Sequence, residues 1–149
     1  HHLGYILQTG GILPFLTVHD NIRLSRRLLG LSGDTLVNHL VDVLDIKHVL
    51  KKKPKALSIG ERQRVCIARA LAHEPSLILA DEPTASLDPT NADNVMALLM
   101  GLVEEMGVSA IIVSHDRHIV ERYGLSEARV TPRPGAGGQG TESVLEMAS

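Results

Sequence analysis

Three short runs of apolar residues, LGYIL at residues 3–7, LILA at residues 77–80 and AIIV at residues 110–113, set the tightest limit on how this chain folds. Each has the length of a strand and falls far short of the ~20 residues a membrane helix needs. None alternates with polar residues, which is the pattern of strands in a parallel sheet with helices on both faces. The stretches between them read as helices. Leu36, Leu40, Val43 and Leu44 place one apolar stripe on a helix, and further helices are expected from Leu57 to about Ala72 and from about Asn91 to Met106. Helix and strand therefore alternate, and the fold class is α/β with a parallel sheet.

Punctuation residues divide the chain further. Thr17 followed by Asp20 has the form of a helix N-cap with an acid at its third position, opening a helix over about Val18 to Leu29 that Gly30 and Gly33 end. Gln8 then stands at the exit of the first strand, before the glycines of the GGILPF loop. The run Lys51-Lys52-Lys53-Pro54-Lys55 reads as a solvated connector in which Pro54 forbids a helix. We expect residues 1–12 to be a strand and loop of the core, 13–56 a helical subdomain, and 57–128 the remaining core. Residues 129–149, rich in Gly, Pro, Ser and Thr, are expected to be a mostly disordered tail.

Composition narrows the function classes. With 149 residues, 44% of them hydrophobic, the chain has enough apolar material for a real core. A net charge of -2 supplies no general attraction for nucleic acid, and no nucleic-acid partner is expected. The single cysteine, Cys66, has no partner for an internal disulfide, which favours a reducing compartment. Any membrane role is expected to be peripheral. The chain opens at His1-His2-Leu3 with no initiator Met, which reads equally as the remnant of a tag or as a truncation.

Two stretches carry chemistry. Asp81 and Glu82 follow the strand LILA, so both carboxylates reach the carboxyl edge of the sheet, where open α/β folds bind ligands. Read alone, Asp81-Glu82-Pro83 ends a strand and caps a turn as readily as it holds a metal. In LSIGERQRVCIARAL, Ser58 caps a helix whose first N–H groups form a ready site for phosphate oxygens. An ordinary capped helix looks the same, since Ser with a downstream Glu is a common N-terminal device. His115 follows the strand AIIV with His118 nearby, but two histidines without carboxylate support are a weak metal site.

Taken in order, LSIGERQRV, LILADEP, TASLD and IIVSHD, preceded by the strand-exit Gln8, resemble the ATP-binding-cassette ATPases over about residues 3–122. The resemblance implies a P-loop NTPase-like sheet core with a helical subdomain, which takes ATP and Mg²⁺. It matches Leu57 to Glu61 to the family's LSGGQ signature, so that Ser58, Gly60 and Glu61 would meet nucleotide. Asp81 would hold the metal together with Gln8, Glu82 would be the catalytic glutamate and His115 the switch histidine. Asp88 closes the D-loop match. Two departures stand out, with Ile59 in place of the first signature glycine and Glu61 in place of the glutamine.

A third departure is larger. The phosphate-gripping GxxxxGK loop followed by Ser or Thr is absent, because no Gly-Lys pair occurs in the sequence, and its lysines, Lys47, Lys51, Lys52, Lys53 and Lys55, all cluster at the connector. The chain thus reads as the C-terminal part of a cassette, inactive alone, whose signature helix would close over ATP held by a second cassette in a head-to-tail pair. The stretch LGYILQTGGILPFLTVHDNI resembles the lipoprotein-release and macrolide-efflux branch of bacterial exporters. That implies a separate membrane permease docking near Gln8 and the loop from Gly10 to Phe15, with Leu13, Phe15 and Leu16 as the apolar contact, and a location on the cytoplasmic face of the membrane. Two other readings stay open: a non-transport cassette ATPase of DNA repair or the ribosome, and a partner-binding module without activity.

Overall fold

The structure is a computed structural model that describes residues 2–8, 11–134 and 141–147. The chain divides into two compact units, His1–Ser114 and His115–Ser149.

The first unit is built on three parallel strands in the order β1 (Leu3–Ile6), β2 (Leu77–Asp81) and β3 (Ser109–Val113). Leu3 pairs with Leu77 and Leu77 with Ser109, so all three strands end at one edge, and there Asp81 pairs with Val113. Four helices accompany them: α1 (Val18–Leu28), α2 (Thr35–Val43), α3 (Ile59–Leu71) and α4 (Pro89–Glu105). Two short 3₁₀ turns, at Lys47–Val49 and Pro54–Ala56, fill the connector between α2 and α3.

The core forms where α3 lies on the sheet. Ile6 and Ile78 of the strands and Val65, Ile67 and Leu71 of α3 are all fully buried. The contact between β1 and α3 is close because Gly4 has no side chain: a Cβ there would stand 2.5 Å from the Ala70 carbonyl oxygen. Ile22, Leu40, Leu44 and Ile46 continue the buried layer into the helical region. The buried Arg26 of α1 ties that region down, donating to the carbonyls of Ala72 and Ser32 and to Glu74. Asn21, fully buried, accepts from the Leu13 N–H and donates to the carbonyls of Leu13 and Thr17, which fixes the loop leading into α1.

Most elements lie where the sequence places them. Thr17 caps α1, its Oγ1 accepting from the Asp20 N–H at 3.1 Å. Helix α4 starts two residues earlier than expected, because Asp88 caps it and Pro89 takes the first helical position, where its missing N–H costs nothing. Strand β3 departs from the expectation of a strand covered on both faces: Ile111 and Val113 are 55% and 56% exposed. Among the described residues, nothing pairs with β3 on its far side.

The second unit corrects the tail reading. It holds α5 (Arg117–Tyr123) and an antiparallel pair, β4 (Ala128–Pro134) with β5 (Thr141–Met147), in the register Ala128 to Met147. Where a structureless run over 129–149 was expected, two seven-residue strands stand, and the compact division falls after Ser114 and not at residue 128. The physical reason is that overall composition and strand propensity are separate signals. The Gly-rich run dominates composition, while ARVT and ESVLEM supply the β-branched and apolar residues that pair. Residues 135–140 and the last two lie outside the described residues, as do Thr9 and Gly10.

Candidate functional site

The tip of α3 is held by local sequence. Ser58, in extended backbone, accepts from the Glu61 N–H with its Oγ at 3.1 Å, and the Glu61 carboxylate accepts from the Ser58 N–H at 2.7 Å. This reciprocal capping box leaves the N–H groups of Ile59 and Gly60 outside intrahelical bonding. The Ser58 hydroxyl accepts within the cap and so keeps its hydrogen to donate outward. The sequence led us to expect open amides around Ser58 and Gly60. The Ser58 amide is engaged by Glu61, and the open pair belongs to Ile59 and Gly60.

Glu61 itself is turned back onto the cap. The Ser58 backbone hydrogen bond, with help from His48, holds its carboxyl below the usual glutamate range, so it stays ionised. His48 Nε2 lies 3.0 Å from one carboxylate oxygen and Lys52 Nζ 3.9 Å from the same oxygen. Asp88 plays the same part for α4: hydrogen bonds from the Asn91 side chain, at 2.6 Å, and from its backbone N–H lower the Asp88 pKa.

Two clefts lie beside this tip. One, of about 530 Å³, is lined by Ser58, Gly60, Glu61 and Asp88 together with His48 and Arg64. The other, of about 560 Å³, is lined by Gln8 and Glu82 with Arg62, Gln63 and Ser86. Ile59, Ser86 and Leu87 line both. The structure therefore brings the signature residues together with Asp88, and Gln8 together with Glu82. Asp81 ends β2 exposed at the same sheet edge and lines neither cleft. Glu82 leaves the strand with a φ of 46°, a left-handed conformation that costs a residue with a side chain about 1–2 kcal/mol, and its N–H donates to the Val113 carbonyl at 2.9 Å. Asp45 and Glu74 share this conformation, and such strain recurs at functional sites. His115 opens the second unit, whereas the residues lining both clefts belong to the first.

Sequence reasoning missed two residues of these clefts. Gln63 is only 7% exposed, and its amide nitrogen has no partner among the described residues, although it stands in the cleft of Gln8 and Glu82. Helical periodicity marks it merely as polar, and its burial comes from tertiary packing. His48 stands 13 residues before Glu61, in a different element, so no local pattern could link the two. Among the described residues, no group of three or more His, Cys, Asp or Glu is close enough to form a metal cage.

The profile of the ABC transporter family matches residues 1–85, more than half of the sequence. The chain belongs to the ABC transporter family. This ABC transporter chain is 40% identical over 123 residues to the lipoprotein-releasing system ATP-binding protein LolD of Legionella pneumophila (strain Lens), covering 80% of the chain and 54% of LolD. It is 36% identical over 124 residues to the methionine import ATP-binding protein MetN 4 of Oceanobacillus iheyensis, covering 81% of the chain and 36% of MetN 4. Among solved structures, the dimeric bacterial ABC transporter cassette MJ0796 superposes with a TM-score of 0.68 at 34% identity, covering 79% of the chain and 54% of the cassette. The chain thus spans between about a third and about half of the proteins it matches. Its sheet and helices have the fold of ABC ATPase cassettes, and ATP binding is the shared property of that family. No described helix is long and apolar enough to cross a membrane.

Proposed function

We propose that this chain supplies the signature half and the hydrolytic half of ATP sites shared between two paired cassettes that drive a membrane permease. The observation that carries the reading is the pair of adjoining clefts, one lined by the open helix tip with Ser58 and Gly60, the other by Gln8 and Glu82. A helix tip with free amides suits phosphate oxygens, while a carboxylate suits a water. The tip of α3 would therefore meet the triphosphate held by the partner, and Glu82 would act on the chain's own side.

Phosphoryl transfer is catalysed by positioning and by stabilising charge. Ser58 would donate its hydroxyl hydrogen, and Ile59 and Gly60 their amides, to the partner nucleotide's phosphate oxygens. Glu82 would orient the attacking water and accept its proton, with Gln8 beside it and His115 donating to the γ-phosphate. Asp88 would position the segment between the two sites through its cap on α4. Mg²⁺ binds through few protein oxygens plus waters and phosphates; Asp81, exposed at the end of β2, and Gln8, in the cleft with Glu82, would each supply an oxygen. Bound with the nucleotide, the ion would neutralise charge on the phosphates.

The permease would dock on an apolar surface beside β1. Phe15 is 68% exposed, and a groove of about 360 Å³ is lined by Tyr5 of β1 with Leu7, Leu28 and Leu29. Leu13 and Leu16 are only partly exposed and would contribute less. The chain would sit at the cytoplasmic face of the membrane, as a peripheral subunit. We propose export as the direction, on the likeness to LolD at 40% identity; the likeness to MetN 4 favours import as a second reading, and the direction of transport by the reconstituted complex decides.

The decisive experiment is Glu82→Gln in the assembled cassette pair. We expect the steady-state rate of ATP hydrolysis to fall by about 10²- to 10⁴-fold, while ATP still binds. Hydrolysis at the wild-type rate would remove Glu82 from the chemistry and the reading with it.

A further inference from the structure

The tip of α3 carries an anion of its own. A neutral glutamine at position 61 would sit quietly at a phosphate site, but Glu61 is ionised and its carboxylate is drawn to the same helix terminus that the phosphates need. One carboxylate oxygen is fixed by the Ser58 N–H at 2.7 Å. The other has a choice. It can face away, as it does in this structure, or swing over the open amides of Ile59 and Gly60.

What holds it away is His48. Its Nε2 lies 3.0 Å from that second oxygen, and an ionised carboxylate only accepts, so the ring nitrogen carries the proton. Lys52 stands behind at 3.9 Å. The support for both is rigid: Val49, next to His48, is fully buried, and the carbonyls of Leu50 and Lys52 accept from the N–H groups of His19 and Val18 at the start of α1. The other charged groups lining the cleft are Asp45, Asp88 and Arg64. Asp88 is engaged with Asn91, and Arg64 donates to the Leu44 carbonyl. The balance around the tip therefore turns on how Glu61 is held.

We propose that His48, with Lys52 behind it, is a positioning residue of the signature site: by holding the Glu61 carboxylate on the helix cap, it keeps the Ile59 and Gly60 amides open to the phosphates of a nucleotide bound by the paired cassette. This rests on the reading that the tip of α3 meets nucleotide.

A mutant cycle on the full-length cassette pair, with ATP as the probe, tests it. His48→Ala is expected to raise KM for ATP about tenfold with kcat within about twofold, whereas His48→Lys, which keeps an N–H donor, stays near wild type. Glu61→Gln removes the carboxylate that the helix terminus attracts, so His48→Ala in that background is expected to change nothing further. His48 and Lys52 are exposed, and the melting temperatures of these variants should remain close to that of the parent. An equal rise in KM in both backgrounds, or no rise with Glu61 present, overturns the proposal alone. A wild-type pair that hydrolyses no ATP removes the reading of the site and this proposal together.

Discussion

The body and the tip of α3 belong to one helix and answer to different partners. Along the body, Val65, Cys66, Ile67, Ala68, Ala70 and Leu71 are buried, and the Cys66 thiol, pushed up to about 12 by that burial, is inert packing. These buried residues are accounted for by packing within the chain. At the tip, Ile59 is 59% exposed, and a Cβ on Gly60 would meet nothing within 4 Å among the described residues. Two glycines make the contrast sharp. Gly4 is required because α3 presses on it, whereas Gly60 has no neighbour that requires it. Gly101 of α4 is equally uncrowded, but only Gly60 stands at a helix tip, where a missing Cβ leaves the open amides accessible from outside the chain.

The largest effect on folding is expected at the body. Gly4→Ala places a methyl 2.5 Å from the Ala70 carbonyl oxygen, which is backbone and cannot swing aside as the Ile78 side chain can. Overpacking of this kind costs about 1–3 kcal/mol, and we expect the upper part of that range in urea or thermal unfolding of the chain. An unchanged midpoint would mean that α3 and β1 are not pressed together. The tip should be more forgiving. Ser58→Ala removes the acceptor of the capping box and is expected to cost about 1 kcal/mol in the same measurement. A loss as large as that at Gly4 would place the tip inside the fold and erase the contrast.

The same contrast explains what was legible in the sequence. Caps are local: Thr17 with Asp20 and Ser58 with Glu61 each span four residues, so both helix starts could be read directly. The three strands were legible as unbroken apolar runs, yet the exposure of Ile111 and Val113 was not, because a run of apolar residues does not say what lies across it. The antiparallel pairing of β4 with β5 was hidden by composition, because Pro132 and Pro134 inside β4 and the glycines among residues 135–140 outweigh the strand formers around them. The order of motifs singled out Ser58, Glu82 and Asp88, which line the two clefts. Long-range packing alone brings His48 to Glu61 and buries Gln63 in the cleft with Glu82.

Gly60→Ala is the smallest perturbation to the fold and the sharpest probe of the tip. The new methyl enters open space on a helical backbone, so the chain should gain about 0.5 kcal/mol from the better helix former and the reduced freedom of the unfolded state. In the assembled cassette pair the same methyl would stand where the partner's phosphates approach the Ile59 and Gly60 amides, and ATP hydrolysis should fall by about tenfold or more. Stability and activity then move in opposite directions, which a purely structural glycine cannot produce: relief of crowding would make both worse, and an idle surface position would leave hydrolysis alone. A Gly60→Ala protein that melts higher and hydrolyses ATP at the parental rate would show that nothing closes on this end of α3.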